Sequence, residues 1–189
     1  MPHRPAAQEM ISVWDPLVRL FHWSLVTACL VAYFTQEEEY RLHLYAGYTV
    51  LGLLGFRLIW GWIGTKHARF ADFVTSPKFT ARYLGQLLAG RAPRFIGHNP
   101  AGGTMIVLML LVLLVITLSG IALDGAENRA GPLAATRLFL YTDIIAEIHE
   151  TATHLGSLMV AVHLLGVVVS SKLHKENLVR AMIDGKKRR

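Results

Sequence analysis

A chain of 189 residues that is 53% hydrophobic and only 17% charged is too apolar for an ordinary soluble domain of its size. Its net charge of +6 comes from 19 Lys and Arg against 13 Asp and Glu. The basic residues lie beside apolar runs, which points to membrane topology and away from nucleic-acid binding. The single cysteine, Cys29, excludes an internal disulfide, a Cys-based zinc or iron–sulfur cluster and covalent c-type haem attachment at C-x-x-C-H.

Four apolar runs, at about 17–34, 43–63, 105–123 and 143–171, are each long enough to span roughly 30 Å of hydrocarbon. They predict an all-α fold: an integral membrane four-helix transmembrane bundle, with 1–189 forming a single domain. The first run follows a polar stretch and has no A-x-A cleavage pattern after it, so it reads as a retained helix and not a signal peptide. A tight acidic turn, 35–42, joins the first two spans. In the 64–100 loop, Phe79, Tyr83, Leu84, Leu87 and Leu88 fall at helical spacing and predict a short amphipathic helix over about 76–90. It lies in the membrane interface or forms a solvated loop helix; the spacing fits both. Asn99 followed by Pro100 reads as a cap and first turn opening the third span. The Gly- and Pro-containing stretch 124–136 reads as a loop.

Charge asymmetry sets the expected orientation. With the N-terminus, the 64–100 loop and the C-terminus on one side, only Arg41, Arg129 and Arg137 fall on the other. The positive-inside rule then puts both termini in the cytoplasm. The opposite face carries Glu37, Glu38, Glu39, Asp124, Glu127, Asp143, Glu147 and Glu150.

The chemistry lies in nine histidines. His3, His67, His98 and His174 sit in loops or tails and read as solvated. The other five lie in spans, where an ionisable group is costly and marks function. His149 and His163 are 14 residues apart, which is about 40° short of four turns and roughly 21 Å along a helix, so both face the same way at different depths. His22 lies at the inner end of the first span and His43 at the outer end of the second. Two layers follow, His22 with His163 and His43 with His149. Each offers two imidazoles from different helices, as bis-histidine ligation of a haem between helices requires.

Small Gly47, one turn from His43, would let a macrocycle approach the backbone, or would serve ordinary helix packing. Arg57, 14 residues beyond His43, would pair with a propionate of the inner haem; the alternative is a snorkelling anchor. His154 is rotated away from His149 and His163 and reads as buried polar packing, with quinone binding, proton movement or a hydrogen bond to the third span as alternatives. His149 and His154 are one residue too far apart for the zincin H-E-x-x-H pattern, which needs i, i+4 spacing.

Phe21-His22-Trp23, His43 with Gly47 and Arg57, Ile148-His149-Glu150-Thr151 and Val162-His163-Leu164 together resemble the prokaryotic cytochrome b561 family. The tail Lys175-Glu176-Asn177-Leu178-Val179-Arg180 is similar too. The resemblance spans nearly the whole chain and is weakest in the 64–100 loop. It implies a four-helix bundle, two non-covalent b haems ligated by His22, His43, His149 and His163, and electron exchange with the quinone pool. Trp14-Asp15-Pro16 and Gly97-His98-Asn99-Pro100 resemble a subgroup that works with c-type cytochromes.

The expected function is therefore transmembrane electron transfer through two b haems, between quinone and a periplasmic redox partner such as a c-type cytochrome. The first rival is a haem-bearing membrane anchor subunit of a peripheral dehydrogenase or hydrogenase. The second is a haem-free transporter or channel, for which the third span offers no intramembrane charge. Membrane lipid is an obligatory partner, and a homo-oligomer is compatible with the sequence.

Overall fold

The computed structural model describes residues 9–36 and 39–189. Among them, four helices are long and apolar enough to cross a membrane. They are α1 (Pro16–Phe34), α2 (Tyr40–Ile63), α5 (Pro100–Glu127) and α6 (Thr142–His174). Three short helices, α3 (Phe70–Phe73), α4 (Pro77–Leu88) and α7 (Leu178–Asp184), lie between or after them. A strand pair, β1 (Met10–Ser12) and β2 (Lys186–Arg188), ties the two ends of the chain together.

The helix starts follow capping chemistry. Asp15 accepts from the Val18 amide at 2.9 Å, with Pro16 opening α1. Ser76 and Asn99 cap α4 and α5 in the same way, each followed by proline. Helix α5 begins five residues before the apolar run and ends four after it, because the cap and not hydropathy sets its start. The α4 helix occupies the stretch expected to be amphipathic. Thr80 and Tyr83 are buried, and Thr80 meets Thr104 of α5 at 3.0 Å, while Phe79, Leu84 and Leu88 are exposed.

The bundle is two hairpins. Helix α1 packs along α2 and α5 along α6, and the hairpins join where α2 meets α5. Ala28, Val50 and Leu54 form the core of that junction, with Leu110, Leu113 and Leu114 against them. Helix α6 scarcely approaches α1 or α2. The hairpins therefore leave a slot between α6 and the first two helices.

The segments 10–12 and 186–188 sit at the same end of the bundle. Strands β1 and β2 pair antiparallel, with Met10 opposite Arg188 and Ser12 opposite Lys186. Val13, Trp14 and Ala181 form a small apolar core beneath this ribbon. Trp23 donates its indole N–H to the Met182 carbonyl at 3.2 Å. Lys187, one of the basic residues of the C-terminal tail, is buried and pairs with Glu176 at 3.3 Å.

A paired-histidine slot and the family it belongs to

At the end of the bundle away from the termini, α2 carries His43 and α6 carries His149. Their ring centroids stand 6.3 Å apart with the planes at 78°. Each ring is held by its Nδ1. His43 Nδ1 donates to the Ala32 carbonyl of α1 at 2.8 Å. His149 Nδ1 donates to the Ile116 carbonyl of α5 at 3.0 Å and lies 3.1 Å from Ser119 Oγ. A carbonyl only accepts, so the proton sits on Nδ1 and the Nε2 lone pair of each imidazole is left for a metal. Two imidazoles bonded to one metal at about 2 Å each have their ring centres about 6 Å apart, so the observed spacing fits a bis-histidine haem site.

Two neighbours of His149 were not evident from the histidine pattern. Ser119 supplies the second polar contact, and Gly120 lets the ring lie on α5. A Cβ at Gly120 would stand 3.0 Å from His149 Cε1, tighter than ordinary packing. The signal in the sequence is the small pair Ser119-Gly120 within an otherwise bulky apolar run. On the other side of the slot, a Cβ added at Gly47 meets nothing within 4 Å. That is open space on the His43 face of α2.

The second pair lies toward the terminal end. His22 of α1 and His163 of α6 are within electrostatic reach of one another and half-buried. Arg57 of α2 is 3% exposed, with Nη1 sealed from solvent and without an acceptor, and both it and His163 lie within electrostatic reach of His98. Its guanidinium lies 4.9 Å from the Phe70 ring centre and 5.8 Å from that of Phe73. It is not a headgroup anchor, because it is enclosed. Asp15 stands close by, with its carboxylate accepting from Thr65 Oγ1 at 2.6 Å and Trp60 Nε1 at 3.3 Å. Burial pushes the Asp15 carboxyl up, but these donors and the Val18 amide outweigh it and hold it below its ordinary value.

Several histidines differ from the sequence reading. His98 is not solvated: its ring lies between Trp14, at 4.4 Å, and Phe73, at 4.8 Å, and its Nδ1 is sealed without a partner. Burial, with Arg57 and Lys187 nearby, pushes its pKa down to about 3, so it is neutral at neutral pH. His67 is half-buried and meets Asp72 at 2.8 Å, and His174 Nε2 is sealed. His154 is not buried polar packing. It points away from the bundle, exposed, with Glu150 at 3.5 Å, and makes no hydrogen bond to α5. Asp124 does not belong to an exposed acidic rim; it is buried and accepts from Tyr40 Oη and from Asn128 Nδ2. His3, Glu37 and Glu38 lie outside the described residues.

The family model for prokaryotic cytochrome b561 matches residues 13–185. The chain belongs to the prokaryotic cytochrome b561 family. It is a multi-pass, all-α membrane protein of electron transport, and its family chemistry is that of haem b. It is 25% identical to a probable Ni/Fe-hydrogenase B-type cytochrome subunit of Rhizobium leguminosarum bv. viciae, over 95% of this chain and 90% of the relative. It is also 25% identical to the protein of the same description in Azotobacter vinelandii, over 94% and 88%. No solved structure matches the chain.

Proposed function

We propose that this cytochrome carries electrons across the bacterial inner membrane on two non-covalent b haems, between the quinone pool and a redox partner at the periplasmic face. His43 and His149 would hold the outer haem, and His22 and His163 the inner one. Gly47 would leave room beside the outer haem, and Arg57 would hold a propionate of the inner haem. The observation that carries the reading is the His43–His149 pair: two imidazoles from helices that scarcely touch, at 6.3 Å, each tied by Nδ1. Bound haem supplies a one-electron ferric/ferrous couple.

The chain's own residues do the rest. The carbonyls of Ala32 and Ile116 orient the outer imidazoles and raise their basicity. The apolar walls of α2, α5 and α6 keep water from the slot. Arg57 keeps a positive charge at the inner site, where a buried guanidinium needs an anion. The basic residues at the end of the bundle where 10–12 pairs with 186–188 support a cytoplasmic position for that end. Residues 1–189 act as one domain in this reading.

A second reading makes the chain the haem-bearing anchor subunit of a peripheral hydrogenase or dehydrogenase. Both relatives, described as probable Ni/Fe-hydrogenase B-type cytochrome subunits, favour it. The two readings share the haems and differ in the partner. A reduced-minus-oxidised spectrum with haem quantitation on the purified protein tests the shared part: two b haems per chain are expected, and none would end it. Co-purification with a hydrogenase, against turnover with a soluble c-type cytochrome, separates the partners.

A further inference from the structure

Arg57 and His98 come from segments 41 residues apart, on α2 and in the loop before α5. Both carry a buried polar atom with no partner, Arg57 Nη1 and His98 Nδ1. Both pack on the same ring, Phe73, with Arg57 5.8 Å and His98 4.8 Å from it. His98 lies within electrostatic reach of both Arg57 and His163, one of the inner histidines. The enclosure is built closely. Gly61 has no room for a Cβ because the Phe70 ring lies on α2, and Gly103 has none because Phe73 lies against α5.

The nearby carboxylates are already engaged. Asp15 is held by Thr65 and Trp60, Asp72 by His67, and Glu176 by Arg94 and Lys187. Among the described residues, Arg57 makes no ion pair. An enclosed guanidinium with an unsatisfied N–H, and an unsatisfied imidazole nitrogen on a side chain packed on the same ring, are groups that a carboxylate would satisfy. Arginine binds a planar carboxylate with two parallel N–H groups, and a neutral imidazole adds one further donor.

We propose that Arg57 and His98 together form a sealed carboxylate-binding pocket whose ligand is a propionate of the inner haem, with His98 as a positioning residue for that haem. The pocket rests on the inner haem of the proposed function. His98 donates through Nδ1–H, Arg57 supplies the charge, and Trp14, Phe70 and Phe73 keep water out.

The test uses the purified holoprotein. Resonance Raman spectroscopy reads the propionate bending bands, and His22→Ala, which lacks the inner haem, identifies the bands that belong to it. In His98→Phe and in Arg57→Met those bands shift and the outer-haem bands do not. The midpoint potential of the inner haem falls in both, more in Arg57→Met, because the propionate charge is less compensated. Unchanged inner-haem bands in His98→Phe at full haem content overturn the pocket. A wild type with no inner haem overturns the inner-haem reading itself, and haem quantitation distinguishes that failure. If the bands of Arg57→Met move and those of His98→Phe do not, the carboxylate is held by arginine alone and His98 has no part.

Should His98→Phe fail to fold, ¹⁵N NMR of labelled wild-type protein replaces it. The His98 Nδ1–H signal moves on haem loading if the imidazole donates to a propionate. A signal that stays in place on loading, or that moves equally when phosphate or acetate is added to haem-free protein, overturns the assignment to a propionate.

Discussion

The His43 and His149 imidazoles stand 6.3 Å apart and nearly perpendicular, on two helices that otherwise scarcely meet. Each is anchored backward, His43 to α1 and His149 to α5, so each hairpin holds one ring toward the other. The slot is thus framed by contacts within the hairpins, and a ligand bound between the rings would join them. Two rings set by second partners before binding is the arrangement that fixes tautomer and direction for metal ligation.

Loss of one ring should empty one site. His43→Ala or His149→Ala should remove the outer haem and leave the inner one, and His22→Ala or His163→Ala the reverse. Potentiometric titration should lose one component in each variant. Loss of the same component in all four would contradict the two-layer assignment.

The partners of His149 should tune the outer haem without removing it. A hydrogen bond to Nδ1–H makes the imidazole a stronger donor and stabilises ferric iron. Ser119→Ala removes one such contact, worth about 1 kcal/mol, and should raise the outer-haem potential slightly with haem content unchanged. Gly120→Val crowds the ring where even a Cβ stands 3.0 Å from Cε1. It should broaden the outer-haem spectrum or lower its occupancy. An unaltered outer haem in Gly120→Val would mean that α5 does not press on His149.

The spans and the two histidine layers were legible because they depend on runs and spacings along single helices. The rest depends on segments distant in sequence. Nothing near His98 announces that Trp14 and Phe73 will enclose it, since Trp14 lies 84 residues earlier. Asp124 reads as a rim residue until Tyr40, from another helix, is seen bonded to it. The Lys- and Arg-rich tail reads as charge retained by the membrane, yet Lys186–Arg188 is a strand that pairs with Met10–Ser12. His154 was legible in direction, turned from His149 and His163, but not in environment, because its ring is exposed beside Glu150.

His154 should therefore be dispensable for haem binding. Its ring is exposed beside Glu150 and away from the slot. His154→Ala should keep both haems and change stability by less than about 0.5 kcal/mol. A haem lost in this variant would mean that α6 presents a different face to the slot.

Glu176 should govern acid stability at the terminal end. It lies in a cluster with Arg94 at 2.6 Å and Lys187 at 3.3 Å. Burial pushes its carboxyl up, but Arg94 and Lys187 outweigh burial and hold it below its ordinary value. A depressed folded-state pKa stabilises the protein above the unfolded value, about 4.3, and that contribution is lost as pH falls through the folded value. Glu176→Gln should cost about 3 kcal/mol at neutral pH by leaving Lys187 buried and unpaired. It should also flatten the acid limb of melting temperature against pH. An equal acid limb in both proteins would assign acid unfolding to other carboxylates.

The far end of the bundle should steer a basic redox partner. Glu39, Glu127, Asp143, Glu147 and Glu150 are exposed there, and Asp124 is withdrawn from the set by its burial. Of the three arginines on that side, Arg129 is laid over the Phe139 ring at 4.1 Å. A surface of one sign speeds encounter with an oppositely charged protein, and salt at physiological strength screens it beyond about 8 Å. Acidic residues would also collect here with no docking at all, simply because basic ones are retained on the other side. Rate against ionic strength separates these cases, with a basic c-type cytochrome as partner and with Glu127→Gln/Asp143→Asn/Glu147→Gln as the variant. Docking requires a wild-type rate that falls with salt and a variant that starts several-fold lower with a flatter slope. If both rates coincide and ignore salt, the acidic rim has no part in electron exchange, and a membrane-bound partner of the kind named in the relatives becomes the better occupant of that face.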